Sequence, residues 1–145
     1  VYYFYRNDEK FCLRLMDLFG SSKSGYIING HTPVKAKSGE DPIKANGRML
    51  VIDGGLAKAY NKVTGIAGYT LVDNSHEVYL AAHHPFKNKK HAIENRITIL
   101  PEQKMVLKRS ERLQVKDTDI GKMLQDQSVQ IFENLKHRQD LENKQ

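Results

Sequence analysis

The 145-residue sequence has one cysteine, Cys12, and therefore no internal disulfide. A lone thiol among apolar residues on an expected helix suits the reducing cytoplasm, and Cys12 reads as a small buried hydrophobe. No apolar run approaches the roughly 20 residues that a bilayer-crossing helix needs, and the mean hydropathy is negative, so no membrane partner is expected. The opening VYYFYRNDEKF lacks the basic start, apolar centre and small-residue end of a signal peptide. Beginning at Val1, the chain is expected to be part of something longer. It has no internal repeat and no low-complexity segment beyond a polar tail. Finger, helix-turn-helix and ribonucleoprotein patterns are absent, and the lysines are scattered rather than interleaved with aromatic residues. A nucleic-acid module is therefore the weaker alternative.

What is there is a basic chain of one domain's length, with 23 Lys and Arg against 17 Asp and Glu and a net charge of +6. Such a balance favours anionic partners: phosphate esters, nucleic acid or acidic protein surfaces. Asn7 or Asp8 can cap a helix whose apolar positions Phe11, Leu15, Leu18 and Phe19 recur at helical spacing, ended by Gly20. Residues 26–29 then read as a short buried strand, and residues 32–47 as a long polar loop. RMLVI is a nearly continuous apolar strand stopped by Asp53, Gly54 and Gly55. From Gly68, YTLVDNSHEVYLAAH predicts a hairpin about residues 73–75. After Pro85 come a basic run, KNKKH, and two strand-like pieces, ENRITIL and KMVLKR. From Thr118 a helix is expected, capped by Thr118 or Asp117, with Ile120, Leu124, Ile131 and Leu135 on one stripe. The last ten or so residues are expected to fray.

Within YIINGHTPVK, a glycine precedes His31 and a proline follows two residues later, so the strand ends there and presents an imidazole at its edge. In α/β proteins such edges hold ligands. His31 fits either a turn histidine that bonds a neighbouring carbonyl or a metal ligand. Of the other histidines, His83 and His84 are adjacent and face opposite sides of a strand, so they do not share an ion.

The continuous text YIINGHTPVKAKSGEDPIKANGRMLVIDGGLAKAYNKVTGIAGYTLV through VYLAAHHPF, with ERLQVKDTDIGKML near the end, resembles the carboxy-terminal part of the class III fructose-1,6-bisphosphatases of Firmicutes-type bacteria, within the calcineurin-like metallophosphatases. The resemblance implies a mixed α+β or α/β fold. Residues 1–86 would form the β-rich carboxy-terminal half of a metallophosphatase sandwich, with a helix before it. Residues 87–145 would be an extension of short strands and an amphipathic helix. It also implies a two-metal centre, usually manganese, for hydrolysing fructose 1,6-bisphosphate in gluconeogenesis.

His31 matches the family's Gly-His ligand. Its Asp-x-His, Gly-Asp-x-x-Asp-Arg-Gly and Gly-Asn-His-Glu motifs occur nowhere in this sequence. The chain is therefore expected to be inactive without an amino-terminal half that supplies the remaining ligands. With them in place, two cations roughly 3.5–4 Å apart activate water for in-line attack on phosphorus. Asp53 would sit in the outer shell or fix the turn, and Gly54 and Gly55 would admit an anion or simply make a tight turn. For the second phosphate of the sugar, Lys35 and Lys58 are the first candidates, followed by Lys44, Arg48 and Lys62, with Tyr60 and Tyr69 as donors. A third possibility is a regulatory or oligomerisation part, with the helix after Thr118 joining copies of the chain or docking on the missing half.

Overall fold

The computed structural model describes residues 2–55, 58–66, 68–84, 87–98 and 100–143; the side chains of Tyr2, Lys58 and Asn61 lie outside that description. The chain divides into two compact units, Val1–Lys108 and Arg109–Gln145. The first begins with a short helix, α1 (Tyr2–Tyr5), and a longer one, α2 (Glu9–Leu18). Asp8 caps α2 as the sequence suggests, its carboxylate accepting from the Phe11 N–H at 3.1 Å. The buried stripe is not the expected one, however. Cys12 and Met16 are buried, whereas Leu18 is 75% and Phe19 80% exposed. Residues four apart share a helix face, and the face that meets the sheet is that of Cys12, which packs with Ala45, Met49 and Ile27.

Strand β1 (Ile27–Asn29) runs parallel to β3 (Met49–Val51), pairing Ile27 with Met49 and Asn29 with Val51. The two-residue β2 (Ile43–Lys44) lies antiparallel on the other side of β3. After β3 come α3 (Lys58–Thr64) and a second, antiparallel sheet of β4 (Gly68–Asp73), β5 (Glu77–His83) and β6 (Glu102–Lys108) in that order. The hairpin between β4 and β5 turns at Asn74, whose side-chain oxygen accepts from the N–H groups of His76 and Glu77. Val34, Val51, Ile66, Tyr69, Leu80 and Ala82 form one buried cluster shared by the two sheets. Each full-size aliphatic side chain there contributes about 1.5–3 kcal/mol by leaving water.

One expectation fails beyond residue 86. ENRITIL is not a strand among its described residues. KNKKH instead opens helix α4 (Lys89–Glu94), with Asn88 as its cap, and Asn95 closes it through its amide to the His91 carbonyl. Arg96 then takes a left-handed backbone, φ +50, which breaks any extended run. β6 completes the second sheet and so belongs to the first unit.

The second unit is a short turn, Val115–Asp117, and helix α5 (Asp119–Glu142). Thr118 caps α5, its hydroxyl accepting from the Gly121 N–H and donating to the Val115 carbonyl. The expected stripe of Ile120, Leu124, Ile131 and Leu135 is more than half exposed. Among the described residues no helix is long and apolar enough to cross a membrane.

Candidate functional site

β1 and β3 run side by side, so the chain leaves both at the same edge of the sheet. The Ile52 N–H donates to the Asn29 carbonyl at 2.9 Å, and the Val34 N–H to the Asp53 carbonyl at 2.7 Å. Between these ties the backbone must reverse, and it does so at His31, with φ +64. The sequence pointed to Gly30 as the place where direction changes, but Gly30 is not left-handed and the strain falls on the histidine. A non-glycine residue in this region costs on the order of 1–3 kcal/mol, and such residues cluster at functional sites.

His31 is exposed and lines a cavity of about 570 Å³ together with Asp53, Gly55, Tyr60 and Tyr69. Asp53 fixes the following turn, its Oδ1 accepting the Gly55 N–H at 2.7 Å. That bond commits the Gly55 amide to the turn. Both glycines are required sterically. A Cβ on Gly54 would lie 2.7 Å from Ile66 Cγ2 and 2.8 Å from the Gly68 nitrogen; one on Gly55, itself at φ +82, would lie 2.6 Å from Tyr60 Cβ. The close approach of Gly54 lets Tyr69 donate its N–H to the Ile52 carbonyl at 2.8 Å, joining the second sheet to the end of β3.

Not every candidate cation reaches this cavity. Lys44 and Arg48 sit at the start of β3, roughly 16 Å along the strand from Asp53. Lys44 is buried and pairs with Glu40 at 2.9 Å, while Arg48 lies 3.9 Å from Glu9. Both cations, expected from the sequence to bind substrate, are engaged with acids among the described residues. Lys35 is exposed on the loop leaving His31, with its backbone N–H on Glu40. Lys58 opens α3, and its side chain is outside the described residues.

Sequence reasoning missed three residues that tie down the loop after His31. The Tyr3 hydroxyl meets the Thr32 hydroxyl at 3.1 Å, and the Arg6 guanidinium stands 4.8 Å over the Tyr3 ring and 3.5 Å from Glu40. Burial alone would raise the Glu40 carboxyl. The Lys35 N–H and the charges of Lys44 and Arg6 outweigh it and hold the group below its ordinary range. These partners lie up to 34 residues away in sequence, and no local pattern announces them.

His31 offers a ring nitrogen, and Asp53 a second carboxylate oxygen with no hydrogen-bond partner among the described residues. Among those residues no group of three or more His, Cys, Asp or Glu is gathered to hold an ion. A catalytic ion takes three or more protein ligands, so these donors fit as a share of a metal site and not as a whole one.

The family model described as Firmicute fructose-1,6-bisphosphatase matches residues 1–140. Similar curated proteins carry the name fructose-1,6-bisphosphatase class 3. That of Listeria monocytogenes serotype 4b (strain F2365) is 51% identical over 131 residues, covering 90% of this chain and 20% of the relative. That of Bacillus velezensis is 48% identical over 136 residues, 93% of this chain and 21% of the relative. The protein of Lactococcus lactis subsp. cremoris is 44% identical over 139 residues, 96% and 22% respectively. The chain thus spans about a fifth of the length of the relatives it matches. No solved structure matches it.

Proposed function

Because the chain belongs to the Firmicute fructose-1,6-bisphosphatase family, we propose that it is the carboxy-terminal part of a metal-dependent phosphatase that hydrolyses fructose 1,6-bisphosphate to fructose 6-phosphate and phosphate in gluconeogenesis. The support from the fold is the strained turn at His31, an exposed imidazole held at φ +64 beside Asp53 on a cavity. His31 contributes one ligand, and the upstream part of the protein, with the rest of a calcineurin-like sandwich, contributes the others. Divalent ions, manganese by the family resemblance, supply the Lewis acidity for attack of water on phosphorus.

The residues of this chain have separate tasks. His31 presents its imidazole to the cavity from a turn whose backbone is tied on either side. Asp53 keeps the turn closed and offers its remaining oxygen to a hydrogen-bond donor in the site, which is the role of an outer-shell carboxylate. Tyr60 and Tyr69 wall the cavity and limit access of water. Lys35 and Lys58 stand on the loops leading away from the strand ends and supply positive charge toward an anionic substrate. The exposed stripe of α5 is the surface by which copies of the chain, or its upstream part, would join. A buried free thiol at Cys12 suits the cytoplasm.

The test is manganese-dependent phosphate release from fructose 1,6-bisphosphate by the chain alone, by the chain with the upstream part, and by that mixture carrying His31→Ala. Only the second should turn over. Activity of the isolated chain, or full activity of the variant mixture, would refute the shared site.

A further inference from the structure

A second cavity, of about 470 Å³, opens in the first unit, and Tyr69 lines both. Its charged lining consists of Lys37, Glu40, Glu102 and Lys104, with His84 beside them. These charges are not equally available. Glu40 is met by Lys44 and Arg6, and the Lys104 ammonium lies 3.8 Å from Asp41. Lys37 donates to the Lys62 carbonyl at 3.3 Å and meets no carboxylate among the described residues, so its charge is not neutralised there. Glu102 likewise has no ion-pair partner among them.

Tyr69 is 7% exposed as a residue, but its hydroxyl, which makes no hydrogen bond among the described residues, is not a buried unpartnered atom and so reaches solvent. Burial first, and then the charges of Asp41, Glu102 and Glu40, push its ionisation up, so the hydroxyl stays protonated and remains a donor. Two of those acids line the second cavity, which puts the hydroxyl within their field.

An unneutralised ammonium and a free hydroxyl donor suit a phosphoryl group, whereas a nearby unpaired carboxylate repels a bare anion but accepts hydrogen bonds from alcohols. The combination fits an anion carried on a polyol. We propose that this cavity receives a sugar-borne phosphoryl group, the half of a sugar bisphosphate that is not being hydrolysed. Lys37 is its counter-ion, the Tyr69 hydroxyl a donor, and Glu102 an acceptor for sugar hydroxyls. Tyr69 lines both this cavity and the one at His31, which makes the two subsites neighbours. Lys37 is thus a cation for the second phosphate beside Lys35 and Lys58, the first candidates from the sequence. The inference rests on the phosphatase reading for the identity of the ligand but not for the existence of the subsite.

Two measurements separate them. Titrating the isotope-labelled chain with fructose 6-phosphate should give saturable amide shifts at Lys37, Gly39, Gly65 and Tyr69. Affinity should weaken about tenfold in Lys37→Met and in Tyr69→Phe, the loss expected of a hydrogen bond to a charged group; both substitutions keep most of the original shape. Absence of shifts at those amides, or equal affinity in both variants, would overturn the subsite. In the chain assembled with its upstream part, Lys37→Met should lower the preference for fructose 1,6-bisphosphate over a simple phosphomonoester about tenfold, and fructose 6-phosphate should compete with substrate. Non-competitive inhibition would identify a separate effector at this cavity and overturn the assignment to the substrate. If the assembled protein hydrolyses neither ester, the phosphatase reading fails while the titration still decides the subsite.

Discussion

At the start of β3, Lys44 and Arg48 meet Glu40 and Glu9; beyond its end, His31 and Asp53 open onto a cavity. The two ends are a few residues apart in sequence and treat polar side chains in opposite ways. At the first, charge is compensated, Lys44 is buried, and the pairs hold helices and loops to the sheet. At the second, the imidazole is exposed and one carboxylate oxygen has no partner among the described residues. Left-handed non-glycine backbone occurs at both ends, at Ala45 and Asn46 as well as at His31, so strain does not distinguish them. What differs is that the charges at the first end have partners, whereas the second leaves donor atoms open to a cavity.

Substitutions at the two ends should separate stability from function. The largest stability effect belongs to Gly54→Ala, where the new methyl meets Ile66 and the Gly68 backbone inside van der Waals contact. We expect a loss of about 3 kcal/mol in urea unfolding, with weakened protection of the Tyr69 amide. A variant as stable as the wild type would show that the sheets are not joined so closely there. Lys44→Met leaves Glu40 with Arg6 and the Lys35 N–H but without its ammonium partner at 2.9 Å. A loss of about 2 kcal/mol is expected, with substrate affinity of the assembled enzyme unchanged. A rise in KM without loss of stability would restore Lys44 to the substrate site.

The smallest effect is the pH dependence carried by Glu40. Its carboxyl is held below the ordinary value of 4.5 in the folded chain, so the stabilisation is fully present above that value. It is lost as pH falls through the lower folded value. Unfolding midpoints followed from neutral pH into the acid range should fall less steeply in Glu40→Gln than in the wild type. Equal slopes would mean that Glu40 titrates as it does in the unfolded chain.

How much of this was legible in the sequence follows the distance over which each signal acts. The caps at Asp8 and Thr118 and the hairpin at Asn74 are made by residues within three or four positions, and each is found where the sequence suggests. The end of β1 at His31 is likewise marked by the adjacent Gly and Pro. Cys12 is buried as the sequence suggests, against Ala45 and Met49, but the apolar stripe of α2 was placed on Leu18 and Phe19, which are exposed. The pairing of Arg6 with Glu40, 34 residues apart, depends on tertiary folding and has no local mark, whereas Lys44 and Glu40 are only four residues apart. Residues 94–100 were read from their β-branched content, and the capping by Asn88 and Asn95 overrides it.

His31→Gly offers the most direct trial of the central claim, that strain at the end of β1 is kept for the imidazole and not for the fold. Glycine accepts φ +64 without penalty, so the unfolding midpoint should hold or rise, by up to about 1 kcal/mol in stability. Manganese-dependent phosphate release by the chain assembled with its upstream part should meanwhile be lost. Retained phosphate release together with a fall in stability would contradict the account, since His31 would then be serving the turn alone.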